Sequence, residues 1–180
     1  MRGIVLAHEV DWDGWRRAAR VLVLEGVAPE EVLWSVGAPD DLFAPEAESP
    51  PEDAPAAFRV PRALVELAQT VIQARDPARF ALLYRLLWRA HGGEREIMQD
   101  IADPEVDRAN RLAQSVRRDT HKMRAFLRFR EVEQDGAIRH VAWFEPEHFI
   151  VEANAPFFLR RFASMTWSIL SPYRSAHWNG

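Results

Sequence analysis

Between Ala109 and Val132 the apolar residues change their spacing from that of a helix to that of a strand. Up to Met123 they recur every three or four positions, which predicts an amphipathic helix. After that point apolar and charged residues alternate, which is typical of a strand. Asp135-Gly136 then predicts a tight hairpin turn, with a returning strand over 138–144. A chain that passes directly from a helix into a hairpin belongs to the α+β class.

The other predicted elements lie on both sides of this region. An aspartate caps a helix between two short strands, and proline marks three helix starts in the middle of the chain. These elements are strands over 3–7 and 31–36, helices that begin after Asp11 and at Pro61, Asp76-Pro77 and Asp103-Pro104, a proline-opened helix over 155–163, and a strand over 165–171. We therefore predict a single α+β domain over residues 1–180. Its sheet is mixed or largely antiparallel, with about five strands and a helical layer.

Composition limits the class of protein. A chain of 180 residues with 48% apolar residues is long enough for one domain with a sizeable core. The absence of cysteine excludes disulfides and thiolate metal sites. We interpret the acidic residues after the first strand as a helix cap rather than a metal site, and we predict neither a metal nor a cofactor. The sequence shows no signal peptide and no apolar run of membrane-spanning length, which predicts a cytoplasmic protein without a membrane partner.

Charge is unevenly distributed along the chain. Residues 117–130 contain six Arg and Lys and one Asp, a charge of +5 in a chain whose total is -4. Residues 21–58 contain nine Asp and Glu and no Lys or Arg. The centre of that acidic segment, 44–57, contains four prolines and no apolar period, so it predicts a mobile loop. The concentrated positive charge indicates a polyanionic partner, and DNA is the partner that we predict.

The basic residues are predicted to share a surface. Four of them fall on one side of the predicted helix, away from its apolar stripe, and two more stand two residues apart on the following strand. The predicted nucleic-acid-binding residues are Arg108, Arg111, Arg117, Arg118, Lys122, Arg124, Arg128 and Arg130. For the last two, cross-strand pairing with acidic neighbours is an equally good interpretation. Trp143 and Trp167 are candidates for stacking on an exposed base, with core packing as the alternative.

One group of residues could carry chemistry. Glu145 and His148 lie near the end of the returning strand, and His121 lies on the basic helix. We predict that a helix begins at Glu147, and the positive end of its dipole then favours a neutral His148. A carboxylate and a neutral imidazole can share acid–base catalysis. Helix capping with a surface histidine is the alternative.

Several strings of residues resemble a known family. The strings are Thr120–Arg130, Ala142–His148, Ala155–Phe158 with Arg161–Ala163, and Trp167–Leu170 with Ser175–Gly180. Together they are similar to an uncharacterised bacterial family described as probable DNA metabolism proteins. The resemblance covers most of the chain and is strongest over 120–180. It implies a place beside a radical-SAM protein that acts on DNA, or in front of a uracil-DNA-glycosylase-like domain, and it implies no catalytic residue.

Three functions follow from these observations. The first is a DNA-binding accessory domain in bacterial DNA repair or modification, which contacts phosphates through the basic helix and strand. The second is a nucleic-acid-processing enzyme that uses His121, Glu145 and His148. The third is a docking module for a repair enzyme, through exposed aromatic residues or the acidic loop. We predict the first, and the other two remain alternatives.

Overall fold

The structure is a computed structural model that describes residues 1–37, 59–134 and 136–180. These residues form two compact units, which we call unit 1 (1–113) and unit 2 (114–180). The loop predicted over 44–57 lies outside the described residues, and the single domain over 1–180 stays a prediction. Within the described ranges, no helix combines the length and the apolar character needed to cross a membrane.

Unit 1 has a strand-helix-strand opening followed by helices. Its elements are β1 (Arg2–Leu6), α1 (Trp12–Leu24), β2 (Val32–Val36), α2 (Arg62–Val71), α3 (Arg79–His91) and the first part of α4 (Pro104–Phe126). β1 and β2 form a parallel pair in which Arg2 lies opposite Val32. This opening confirms the predicted strand-helix-strand order.

Two of the helix starts in unit 1 confirm the capping predictions. Asp11 accepts a hydrogen bond from the backbone N–H of Gly14 at 2.8 Å, and Asp103 accepts two at the start of α4. The predicted cap at Asp76 was wrong, because α3 begins at Arg79 without a side-chain cap and Asp76 binds the N–H of Ala78 in the preceding turn. These contacts satisfy N–H groups that have no partner inside a helix. The apolar residues of α2 recur at helical spacing and are buried in the core of unit 1.

Unit 2 contains the rest of α4 and a mixed sheet. Its other elements are β3 (Arg130–Gln134), β4 (Ala137–Trp143), α5 (Val151–Arg161), β5 (Trp167–Leu170) and β6 (Ala176–Trp178). The strand order is β3-β4-β5-β6, with a parallel pairing of β4 and β5 between two antiparallel pairings. The mixed character of the sheet is confirmed. The strands form sheets of two and four members among the described residues, so one sheet of about five was wrong.

One face of the four-stranded sheet forms the core of unit 2. Ala142, Trp167 and Ile169 are buried on that face. Phe129 packs edge-on against Phe162, with ring centroids 5.2 Å apart, and lies 6.0 Å from Trp167. Residues on the opposite side of the same strands are exposed or half-buried.

Two helix boundaries differ from the prediction. α4 continues to Phe126, and α5 begins at Val151 and contains Pro156 in its interior. The predicted starts at Glu147 and at the proline were therefore wrong. Val151, Asn154 and Phe158 are buried at helical spacing in α5, and this burial outweighs the backbone hydrogen bond that the proline removes. The C-terminal tail, in which no period was found, contributes the short strand β6.

Candidate nucleic-acid interface

The part of α4 in unit 2 carries an exposed basic side and a buried side. Arg117, Arg118 and Lys122 are exposed, as predicted. Val116 and Met123 are buried, with exposed fractions of 1% and 0%. The predicted separation of basic and apolar residues on this helix is therefore confirmed.

A carboxylate partly neutralises that basic side. Lys122 Nζ lies 2.7 Å from Glu147 Oε1, and both side chains are largely exposed. The hydrogen bond from Lys122 lowers the pKa of Glu147, and the positive charge of Arg118 acts in the same direction. Glu147 therefore occupies a position at which a phosphate would compete with it for Lys122. The side chain of Arg117 has no hydrogen bond or ion pair with any residue that the structure describes.

Arg124 and Arg128 hold parts of unit 2 together. Arg124 Nε donates to Asn154 Oδ1 at 2.7 Å, and its guanidinium lies over the ring of Phe157 at 4.8 Å. Arg128 Nη1 donates to the carbonyl oxygens of Ala125 and Leu127, at 2.8 and 2.9 Å. These carbonyls lie at the C-terminal end of α4, where the helix leaves its acceptors without partners. Both arginines are exposed, but much of their hydrogen-bonding capacity is used within unit 2.

Arg108 and Arg111 belong to unit 1. Arg108 Nη2 lies 2.8 Å from Asp76 Oδ2. Arg111 Nη2 lies 2.5 Å from Asp107 Oδ2 on the next turn of α4. Each of these predicted binding residues therefore already has a carboxylate partner within unit 1.

The four-stranded sheet has an exposed side, which we call the outward face. In the register of β3 and β4, Arg130 lies opposite Val141, and Val132 lies opposite Arg139. Ala142 is buried whereas Trp143 is 58% exposed, so successive residues point to opposite sides of the sheet. The described residues of the outward face are Arg130, Val132, Ala137, Arg139, Val141, Trp143, Ser168, Leu170 and His177.

The outward face is basic because acidic residues of β3 point to the other side. Glu131 and Glu133 alternate with Arg130 and Val132 along that strand. Glu131 Oε1 lies 3.8 Å from His140 Nε2, on the side opposite to the outward face. None of the outward-face residues named above is a carboxylate. Arg130 and Arg139 also have no ion-pair partner within 1–37, 59–134 and 136–180.

The two tryptophans predicted to stack on bases lie on opposite sides of the sheet. Trp167 is 2% exposed and faces the core, where its ring is covered by neighbouring aromatic side chains. Trp143 is on the outward face, and its indole Nε1 donates to Glu145 Oε1 at 2.9 Å. The hydrogen bond fixes one edge of the indole in a side chain that remains mostly open to solvent. Only Trp143 of this pair offers an accessible ring.

The three predicted catalytic residues have different surroundings. His121 is exposed on α4, and Glu145 binds the indole of Trp143. His148 lies against α4, with Nε2 2.9 Å from Ser115 Oγ and its backbone N–H donating to Asp119 Oδ2 at 2.9 Å. Burial raises the pKa of Asp119. Because this carboxylate binds the backbone of His148, it anchors the turn after β4 on α4.

The described residues contain no group of three His, Asp or Glu side chains placed to hold a metal ion. Sequence reasoning missed Arg139 as a member of the basic surface. The register of β3 and β4 places Arg139 on the same side as Arg130, and the Asp135-Gly136 sequence is typical of a hairpin with such a register. That signal was present in the sequence. The contacts of Asn154 and Ser115 with residues distant in sequence had no comparable local signal.

Comparison with known proteins identifies a family of domains. The model of the family "Domain of unknown function" (DUF4130) matches residues 77–178, which is more than half of the chain. No curated protein and no solved structure matches the chain.

Proposed function

The chain belongs to the DUF4130 family of domains of unknown function, and we propose that it is a DNA-binding accessory domain in bacterial DNA repair or modification. In this proposal, Arg and Lys side chains of unit 2 contact phosphates. A radical-SAM protein or a uracil-DNA-glycosylase-like domain would supply the chemistry. These two partners rest on the family resemblance of the sequence, whereas the DNA contacts rest on the geometry described above.

The observation that carries the proposal is the net positive charge of unit 2, part of which is on arginines whose side chains have no partner. The side chains of Arg117, Arg130, Arg139 and Arg160 form neither a hydrogen bond nor an ion pair with any residue in the described part of the chain. Unit 2 contains ten Arg and Lys against seven Asp and Glu, a formal charge of +3, although the whole chain carries -4. A polyanion supplies the negative partners that this unit lacks.

The cationic groups of unit 2 suit a phosphate partner. Nine of the ten are arginine, as are all thirteen in unit 1, so the preference for arginine is a property of the whole chain. The guanidinium group presents several donors in a planar fork that matches a phosphate, and it is less strongly hydrated than an ammonium group. The unpaired guanidinium groups of unit 2, rather than the preference for arginine, therefore support the proposal.

The alternative of an enzyme is less well supported by the geometry. A shared acid–base site needs its groups within hydrogen-bond reach of one substrate. Glu145 instead accepts from an indole, and His148 contacts Ser115 and the turn-anchoring Asp119. We therefore assign these residues to the support of the surface rather than to catalysis.

The proposal is tested by measuring binding of labelled duplex and single-stranded DNA over a range of salt concentrations. We expect affinity to fall steeply with salt, because bound phosphates release counterions. The variant Arg117→Glu/Arg130→Glu/Arg139→Glu is expected to bind at least about tenfold more weakly than the native chain and to show a shallower salt dependence.

The matched control is Arg17→Glu/Arg62→Glu/Arg95→Glu, which makes the same charge change at exposed arginines of unit 1. We expect it to retain most of the native affinity. An equal loss in both triple variants would show that net charge alone matters. Absence of binding by the native chain, or binding that does not depend on salt, would overturn the proposed function.

A further inference from the structure

We propose that the outward face of the unit 2 sheet is a binding site for unpaired nucleotides, in which Trp143 stacks on a base while Arg130 and Arg139 contact the flanking phosphates. This inference rests on the proposed function and specifies its ligand as single-stranded nucleic acid. It assigns a role to residues of β4 that the basic segment 117–130 does not include.

The first step of the inference concerns the exposed ring. Trp143 is 58% exposed, and Leu170 lies opposite it on β5. Val141 and Val132 continue an apolar strip along the outward face. Exposure of a large aromatic surface to water is unfavourable, and such a strip marks a binding surface. Every nucleobase has a flat apolar face that can cover an indole.

The second step concerns the orientation of Trp143. Its Nε1–H is already bound to Glu145 Oε1 at 2.9 Å. The only hydrogen-bond donor of the indole is therefore occupied, and the ring can contribute a stacking surface but no readout of base edges. Stacking of this kind tolerates every base and requires that the base be unpaired and accessible.

The third step concerns the arginines. Arg130 and Arg139 lie on the same face of the hairpin, each opposite a valine and displaced by two residues from the other. Such diagonal neighbours stand about 7–8 Å apart in an antiparallel pair, which lets two long side chains reach neighbouring phosphates. The ladder places Trp143 two residues beyond Val141 on the same strand. Arg139, Val141 and Trp143 therefore lie in one row along β4, and Arg130 lies beside that row on β3.

The charge of the face identifies the occupant. The acidic residues of β3, Glu131 and Glu133, point to the opposite side, and both charged side chains of the outward face of the hairpin are arginines. A protein surface that docked on the apolar strip would gain nothing from two unpaired arginines unless it were acidic. A nucleic acid strand uses the aromatic ring and both guanidinium groups at once.

The experiment compares Trp143→Leu and Trp143→Phe with the native chain, using single-stranded and duplex DNA of the same sequence at a fixed salt concentration. We expect Trp143→Leu to weaken binding of the single strand about tenfold and binding of the duplex less than about twofold. Trp143→Phe keeps an aromatic ring and is expected to lie between the two. Phe126→Leu is the matched control, since Phe126 is 69% exposed in unit 2 and lies outside the sheet.

The outcomes separate this inference from the proposed function. If Trp143→Leu weakens neither ligand, or weakens both equally, the stacking site is overturned while DNA binding by unit 2 stands. If the native chain binds neither ligand, both proposals are overturned. Because Trp143 is exposed, we expect each variant to have the same urea midpoint of unfolding as the native chain. This measurement establishes that the variants are folded.

Discussion

Units 1 and 2 differ in how often their arginines pair with carboxylates. In unit 1 six arginines form ion pairs with carboxylates, and Arg89 contacts Glu94, Asp103 and Glu105 at once. Among the described residues of unit 2, Lys122 and Arg174 are the cationic side chains other than histidine that pair with a carboxylate. Pairing of arginine with a carboxylate is therefore more common in unit 1 than in unit 2.

The difference shows that the number of arginines does not identify a binding surface. The two units have comparable numbers of cationic residues, thirteen and ten, but unit 1 has twenty carboxylates and unit 2 has seven. What separates them is how many of the guanidinium groups have a carboxylate beside them. A paired guanidinium must give up its partner before it can bind a phosphate, and an unpaired one need not.

The largest expected effect is a difference in the free energy of unfolding when an arginine of each unit is replaced by methionine. Arg89→Met should lower the free energy of unfolding by about 2–3 kcal/mol, because Asp103 loses its ion-pair partner while only 10% exposed and Glu105 keeps only Arg85. Arg139→Met should change it by less than about 0.5 kcal/mol, since the exposed side chain has no partner to lose. Urea unfolding measures both.

DNA binding should show the reverse order. We expect Arg139→Met to weaken binding several-fold and Arg89→Met to leave the affinity of the folded protein unchanged. A comparable loss of stability in both variants would contradict the division between the units.

A second, smaller effect concerns pH. The hydrogen bond from Arg89 lowers the pKa of Asp103 below its ordinary value of 3.8, so stability from this group is present above 3.8 and is lost as the pH falls through the folded-state pKa. Burial raises the pKa of Asp119 above 3.8, so stability is lost there as the pH rises through its folded-state pKa. The two carboxylates therefore give opposite pH dependences.

Urea unfolding of Asp103→Asn and Asp119→Asn at several pH values tests this contrast. In the native chain, Asp103 makes the free energy of unfolding fall as the pH drops below 3.8, and this fall should be absent from Asp103→Asn. Asp119 makes the free energy of unfolding fall as the pH rises above 3.8, and this fall should be absent from Asp119→Asn. Parallel curves for the native chain and Asp119→Asn would show that Asp119 titrates normally.

The smallest effect on DNA affinity is expected at Glu147. This carboxylate pairs with Lys122 of α4, as carboxylates pair with arginines in unit 1. Glu147→Gln removes the negative charge beside Lys122 and Arg118. We expect DNA affinity to rise about two- to threefold at low salt and the gain to vanish at high salt, because charges at an exposed site are screened. Glu152→Gln, which removes the partner of Arg174, is the matched control. A gain that persists at high salt would argue against an electrostatic cause.

The elements whose boundaries depend on local interactions could be predicted from the sequence. The starts of α1 and α4 were found because Asp11 and Asp103 bind N–H groups two or three residues away. The predicted alternation at the end of α4 also agrees with the burial of its side chains, since Leu127 is buried and Phe126 is exposed. These interactions are encoded within a few neighbouring residues, so the sequence shows them directly.

The missed features depend on contacts between residues distant in sequence. The backbone N–H of Val151, at the start of α5, donates to the hydroxyl of Tyr173. The backbone N–H of His148 donates to Asp119. The residues next to Val151 and His148 give no sign of these partners in the sequence. The helix that begins at Val151 was consequently predicted to begin at Glu147. The pairing of β1 with β2 in a separate sheet is likewise decided by packing rather than by the pattern of either strand.

The candidate site was predicted in part for the same reason. The exposure of Arg117, Arg118 and Lys122 follows from the helical period and was correct. The use of Arg124 and Arg128 within unit 2 depends on Asn154 and on carbonyls at the helix end, which the period does not reveal. The hairpin register could have added Arg139.

Lys122, the only lysine in the chain, lies inside α4. A protease that cleaves after lysine therefore has one site, and that site is held in a helical backbone that the protease cannot accommodate. Cleavage requires the helix to open locally, so its rate reports how often α4 opens around Lys122 in the native protein. A ligand that stabilises this part of α4 slows cleavage after Lys122. The rate at which the two fragments form on a gel therefore measures local opening of the helix turn around Lys122.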